Sequence, residues 1–159
     1  MPAINRGELL TRLTVWLALC GYAGGAVLLL VAKGRAQVLV RARWVWTIGC
    51  AFFLAHVVCA FSFYHGWSHD AAYRETARQT AEVTGLHWGG GIFLNYFFTA
   101  AWLADVVWWW SAPASFARRP RWLTLTWRAF FFFMVFNATI VFGSGPLRRF
   151  GAAIWRWFR

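Results

Sequence analysis

Charge is what this chain has least of. Charged side chains make up 13% of its 159 residues, where an ordinary soluble domain carries about 25%. The acidic ones are Glu8, Asp70, Glu75, Glu82 and Asp105 only, against 16 basic residues. Low charge argues against a water-soluble fold, and 60% hydrophobic content excludes a disordered chain. The three cysteines, Cys20, Cys50 and Cys59, all sit inside apolar runs, where a thiol acts as a small packing group and not as part of a disulfide framework. There is no Cys-x-x-Cys, no Gly-x-Ser-x-Gly and no glycine loop ending in Lys-Ser/Thr. A dithiol motif, a nucleophile elbow and a phosphate loop are therefore absent. Ser62 and Ser68 lie near His65, but their spacing defines no triad, so an enzymatic role is left open. No internal repeat and no low-complexity linker breaks the chain.

What is present is aromatic and apolar. Trp numbers 13 and Phe 16, and aromatics reach 21%. Exposed to water this would aggregate; in a bilayer it is ordinary. A spanning helix needs about 20 apolar residues, and four stretches qualify, at about 13–32, 44–64, 91–110 and 122–143. Backbone groups in lipid must pair internally, so each is expected to be a helix. The first follows Arg6 and Arg12 as a signal peptide would, but it is too long for an h-region and lacks an Ala-x-Ala site, so a retained span is expected. The fold class expected is an all-α integral membrane protein, a four-helix up-down bundle in a single membrane domain. A surface helix is expected over about 68–84, capped by Ser68, with Asp70 in its first turn and Gly85 as its stop. The Arg-, Trp- and Phe-rich tail at about 146–159 reads as an amphipathic interfacial helix.

The net charge of +11 fits either a phosphate-rich partner or a membrane. Placement decides: the basic residues fall in short clusters between apolar runs, which is topology signal and not a nucleic-acid face. The positive-inside count ties at eight basic residues on each side. The purely basic connections 33–43 and 118–128 break the tie toward the cytoplasm, and a bacterial inner membrane is the expected location. Trp44, Trp46, Trp108, Trp109, Trp110 and Trp122 cluster at one set of helix ends as an aromatic belt.

In lipid, helices associate through close backbone approach and polar contacts. Gly21-x-x-x-Gly25, with Gly24, forms a small-residue stripe, expected to face Ala51, Ala55 and Cys59. Depth counted from the belt puts Asp105 level with Arg128, and Asn95 level with Asn137. An ion pair and an amide pair are expected there, since an unpaired intramembrane charge is costly.

Histidines supply the remaining chemistry. His65, His69 and His87, with Asp70 and Glu82, offer imidazole and carboxylate ligands for a transition metal such as zinc, copper or iron. His65 and His69 share a helical face only if Gly66 and Ser68 do not break the helix between them. Haem ligation by His56, His65, His87 or Met134 is the redox variant. The plainer alternative has His56 bonded to Asn137 or a carbonyl, with the other three in wet headgroups. Glycines 89–91 after His87 and Trp88 permit a tight entry into the third span. Three functions follow. The first is a structural or accessory subunit of a membrane complex, in contact with lipid and with itself or a larger assembly. The second is a metal or haem redox protein. The third is a transporter or channel subunit lined by Asn95, Asp105, Arg128 and Asn137.

Overall fold

The computed structural model describes residues 6–138, and all regular structure among them is helical. Six α-helices follow in order: α1 Arg6–Val31, α2 Ala36–Ala60, α3 His69–Thr84, α4 Gly91–Ser111, α5 Pro113–Ala117 and α6 Arg121–Phe136. A π turn, Phe61–His65, extends α2. Among the described residues, three helices are long and apolar enough to cross a membrane: Arg6–Val31, Ala36–His65 and Gly91–Ser111. Of the fourth expected span, the part after residue 138 lies outside the described residues, as does the expected tail helix. α6 itself has 16 residues.

The first two spans are longer than the apolar runs that mark them. α1 begins at Arg6, not at Leu13, because Glu8 and Arg12 pair along its surface at 2.6 Å and carry the helix into polar territory. α2 begins at Ala36, so the basic connection shrinks from 33–43 to residues 32–35. Lys33 and Gly34 both turn with positive φ, and the Arg35 N–H closes the turn on the Ala32 carbonyl at 2.8 Å. Arg41 and Arg43 lie on the helix. Ala36–His65 contains 30 residues and rises about 45 Å, well beyond a hydrocarbon layer of about 30 Å.

Hydroxyls on these helices bond back to their own backbone. Thr11 donates to Gly7 O, Thr47 to Arg43 O and Ser111 to Val107 O, each at 2.8 Å. In lipid no water could satisfy them.

The described residues group into two compact units, and α4 contributes its two halves to different ones. The first unit comprises residues up to Ala72 together with Thr99–Phe116. In it α1 and α2 run antiparallel, with Thr11 near His56, Gly21 on Gly49 and Gly25 on Trp46. A Cβ on Gly21 would run into the Gly49 Cα, so the two backbones touch. The small-residue stripe thus does its expected job, but it meets Val45, Trp46 and Gly49 and not the expected set of Ala51, Ala55 and Cys59. The second half of α4 crosses α2 in the opposite direction, with Trp102 by Phe53 and Trp110 by Thr47. Pro113 then opens the short α5, whose Phe116 stacks on Trp109 at 4.6 Å.

The end of α2 is abrupt. The π turn runs into Gly66 and Trp67, both with left-handed φ (54° and 59°). A tryptophan in that region stores about 1–2 kcal/mol. α3 restarts with the expected cap, the Ser68 Oγ accepting the Ala71 N–H at 3.3 Å. It stops at Gly85, with φ 79°, as expected.

The second unit holds Tyr73–Phe98 and the chain from Ala117. Glycines 89–91 let the chain enter α4 against α3: a Cβ on Gly89 would stand 2.5 Å from the Tyr73 carbonyl oxygen, and one on Gly91 3.2 Å from Thr76 Cγ2. The first half of α4 packs on α6 through Phe97–Phe130 at 5.1 Å and Phe98–Phe131 at 4.8 Å. Phe131 and Met134 form the buried face of α6.

Candidate functional site

The interior of the first unit is an aromatic cluster contributed by three helices. Trp102, 1% exposed, has Tyr22 at 6.3 Å, Trp46 at 5.4 Å and Phe53 at 5.5 Å. Tyr22 and Trp46 close the ring at 5.7 Å. Tilted and edge-on pairs of this kind add about 0.5–1.5 kcal/mol each beyond area burial. Asp105 lies one turn beyond Trp102 on α4 and is 4% exposed, the buried acid of this unit. Its carboxylate is within electrostatic reach of Cys50, also buried. A buried acid in a membrane-length helix is the arrangement that marks proton relays, ion paths and helix locks alike.

Trp46 and Trp109 belong to this interior as well, at 6% and 8% exposure, which corrects their expected place in the headgroup belt. Residues two apart on a helix point roughly 200° apart. Trp44 and Trp46 therefore face opposite ways, and only Trp44, Trp110 and Trp122 keep the exposure of belt residues.

At the α2–α4 contact a second polar group appears. The Arg43 guanidinium lies over the Trp110 ring at 4.1 Å. The Trp110 Nε1–H donates to the Thr47 Oγ1 at 2.9 Å, and Trp44 meets Trp110 edge-on at 4.8 Å. Arg43 Nε is shut off from solvent with no hydrogen-bond acceptor among the described residues. Arg43 and Thr47 lie one turn apart on one face, a spacing visible in the sequence, where Arg43 is otherwise one of a basic cluster and Trp110 one of six belt tryptophans.

The histidines are dispersed in role. His56 shares a 3.0 Å hydrogen bond with the Thr11 carbonyl. A carbonyl only accepts, so Nδ1 carries the proton and the ring locks α2 to α1, the plainer of the expected roles. His65 stacks edge-on against Phe61 at 5.4 Å in the π turn. Gly66, left-handed, does break the helix between His65 and His69. His69 and His87 are exposed, as are Asp70 and Glu82. Among the described residues, no group of three or more His, Cys, Asp or Glu is assembled to hold a metal ion.

On the exposed side of α3, Arg78 is clasped by Glu75 at 2.5 Å and by Glu82 one turn on. Glu75 first, by hydrogen bond and by charge, and then Glu82 push the Arg78 guanidinium above its ordinary range, so it stays charged at every accessible pH.

In the second unit Arg128 and Asn95 are exposed, on α6 and α4. The Asn137 side-chain amide donates to the Phe133 carbonyl at 2.8 Å, a local bond within the end of α6.

Comparison with known protein families, with curated proteins and with solved structures finds no match for this chain.

Proposed function

We propose that this chain is a structural or accessory subunit of a membrane complex. In this reading α6 and the residues after it, to about 143, complete a fourth span, and the chain forms one up-down membrane domain. The connections around Lys33 and Arg118 face the cytoplasm.

The observation that carries the reading is Arg128. It is exposed on α6 immediately before the run Ala-Phe-Phe-Phe-Phe-Met. A guanidinium facing hydrocarbon costs up to about 2.5–3.5 kcal/mol at the bilayer centre, and a protein interface with an acceptor offsets that cost. The exposed aromatic flank beside it, Phe132, Phe133 and Phe136, suits the same interface.

Sizing of the purified protein by light scattering in a mild detergent tests this. The chain should migrate as an assembly larger than its own 18.3 kDa. Arg128→Gln should shift it toward the monomer, while Leu30→Ala, exposed on α1 and away from that face, should not. A monomer indifferent to both changes overturns the proposal.

A second reading, a transporter or channel subunit, is favoured by the burial of Asp105. It would use Asp105 with Arg128, and Asn95 with Asn137, as polar pairs along a path through an oligomer. Asp105→Asn should then abolish proton or cation flux in proteoliposomes while leaving the folded, assembled protein intact. Unchanged flux, or no flux in the parent protein, removes this reading.

A further inference from the structure

The α2–α4 contact holds a guanidinium ready for an anion. Arg43 is half-buried, one flank lies on the Trp110 ring at 4.1 Å, and its Nε is sealed from solvent without an acceptor. The ring beneath it is itself fixed, by the Trp110–Thr47 hydrogen bond and by the edge of Trp44. Stacking on an aromatic face leaves a guanidinium planar, positioned and poorly hydrated. The half-exposed remainder of the side chain carries the two Nη donors, a fork that matches a phosphate or carboxylate in two parallel hydrogen bonds. The ion pairs formed among the described residues, at Arg12 and Arg78, take Glu8, Glu75 and Glu82, and none of these reaches Arg43.

Depth and surroundings select the anion. Arg43 lies seven residues, about 10 Å, inside the start of α2. Because the helix with its π turn overshoots the hydrocarbon layer by about 15 Å, that position falls near the boundary where lipid phosphates sit. From Lys33 to Thr47 the sequence holds Lys33, Arg35, Arg41 and Arg43 and no acid. A zwitterionic headgroup would bring its ammonium into this field; a headgroup of net negative charge would not. Val40 and Trp44, both exposed, offer apolar surface for the acyl chain beside it.

We infer that Arg43, stacked on Trp110, is a binding site for the phosphate of an anionic phospholipid. Arg43 is the residue that contacts the phosphate, and Trp110 positions it.

Native mass spectrometry of the full-length protein, titrated with phosphatidylglycerol and separately with phosphatidylcholine, tests the site. The parent protein should favour phosphatidylglycerol. Arg43→Gln should weaken that binding about tenfold, which is about 1.4 kcal/mol, and leave phosphatidylcholine unchanged. Trp110→Leu keeps the charge but removes the plane, and should weaken phosphatidylglycerol similarly. If Arg43→Gln does not fold by circular dichroism, Arg43→Lys is the variant to read. Its ammonium keeps the charge but lacks the fork, so it should also bind less. Binding by any folded Arg43 variant equal to the parent's overturns the inference. Displacement of the lipid by millimolar inorganic phosphate overturns it too, because the anion would then be a soluble one.

Discussion

At the scale of single residues, the contact most sensitive to change is the meeting of Gly21 and Gly49. A methyl group at Gly21 would have to displace a backbone, not a flexible side chain. Gly21→Ala is expected to destabilise the α1–α2 pair by about 1–3 kcal/mol, measured as unfolding in a mixed micelle series. Gly24→Ala is its control, since the added Cβ would meet only Val45 Cγ1, at 3.3 Å. His56 is the second residue of this kind. His56→Leu removes its bond to the Thr11 carbonyl and should cost about 0.6–1 kcal/mol in the same assay. A loss of several kcal/mol would mean that the ring does more than tie two helices.

These two residues also divide what the sequence made legible from what it did not. A stripe of glycines identifies the face of α1 that approaches another helix closely, because periodicity fixes faces. It does not identify the turn of the partner that it meets, because the crossing point depends on where both helices start. α1 and α2 start earlier than their apolar runs, through an ion pair and a basic first segment that hydropathy alone does not count as helix. The same limit applies around Trp102: the burial of Asp105, one turn on, could be anticipated from its place inside an apolar run, but the cluster of Tyr22, Trp46 and Trp102 comes from three helices and had no signal in any one of them.

At the scale of elements, local chemistry was the most readable layer. Ser68 caps α3 and Gly85 ends it because both roles depend on neighbours within a few residues. Ser68→Ala is expected to cost α3 about 1 kcal/mol, read as faster amide exchange over 69–73, with α4 unaffected. α5 escaped notice, although Pro113 at a first helical position was its signal. A five-residue helix has no periodicity to detect, and it is packing of Phe116 on Trp109 that holds it.

At the scale of the whole molecule, the described residues supply three membrane-length helices, and the proposed fourth sets the topology. Cysteines introduced at Lys33 and at Arg118 in a background lacking Cys20, Cys50 and Cys59 should label from the same side of the membrane. A cysteine at Trp67, which is exposed, should label from the other. With three spans in place of four, residues 33 and 118 would still agree, but a cysteine in the 146–159 segment would label from their side.

The length of α2 has a further consequence. A helix of about 45 Å crossing a layer of about 30 Å keeps about a third of its length outside the hydrocarbon, and its basic first segment, with Arg41 and Arg43, is the part suited to the headgroups. α2 cannot lean alone, because Gly21 and Gly49 clamp it to α1 backbone to backbone. Any tilt is therefore taken by the two helices as a pair. A chain built this way meets a change in bilayer thickness with one rigid pair, and the basic first segment of α2 takes up the difference by sliding between headgroups and water.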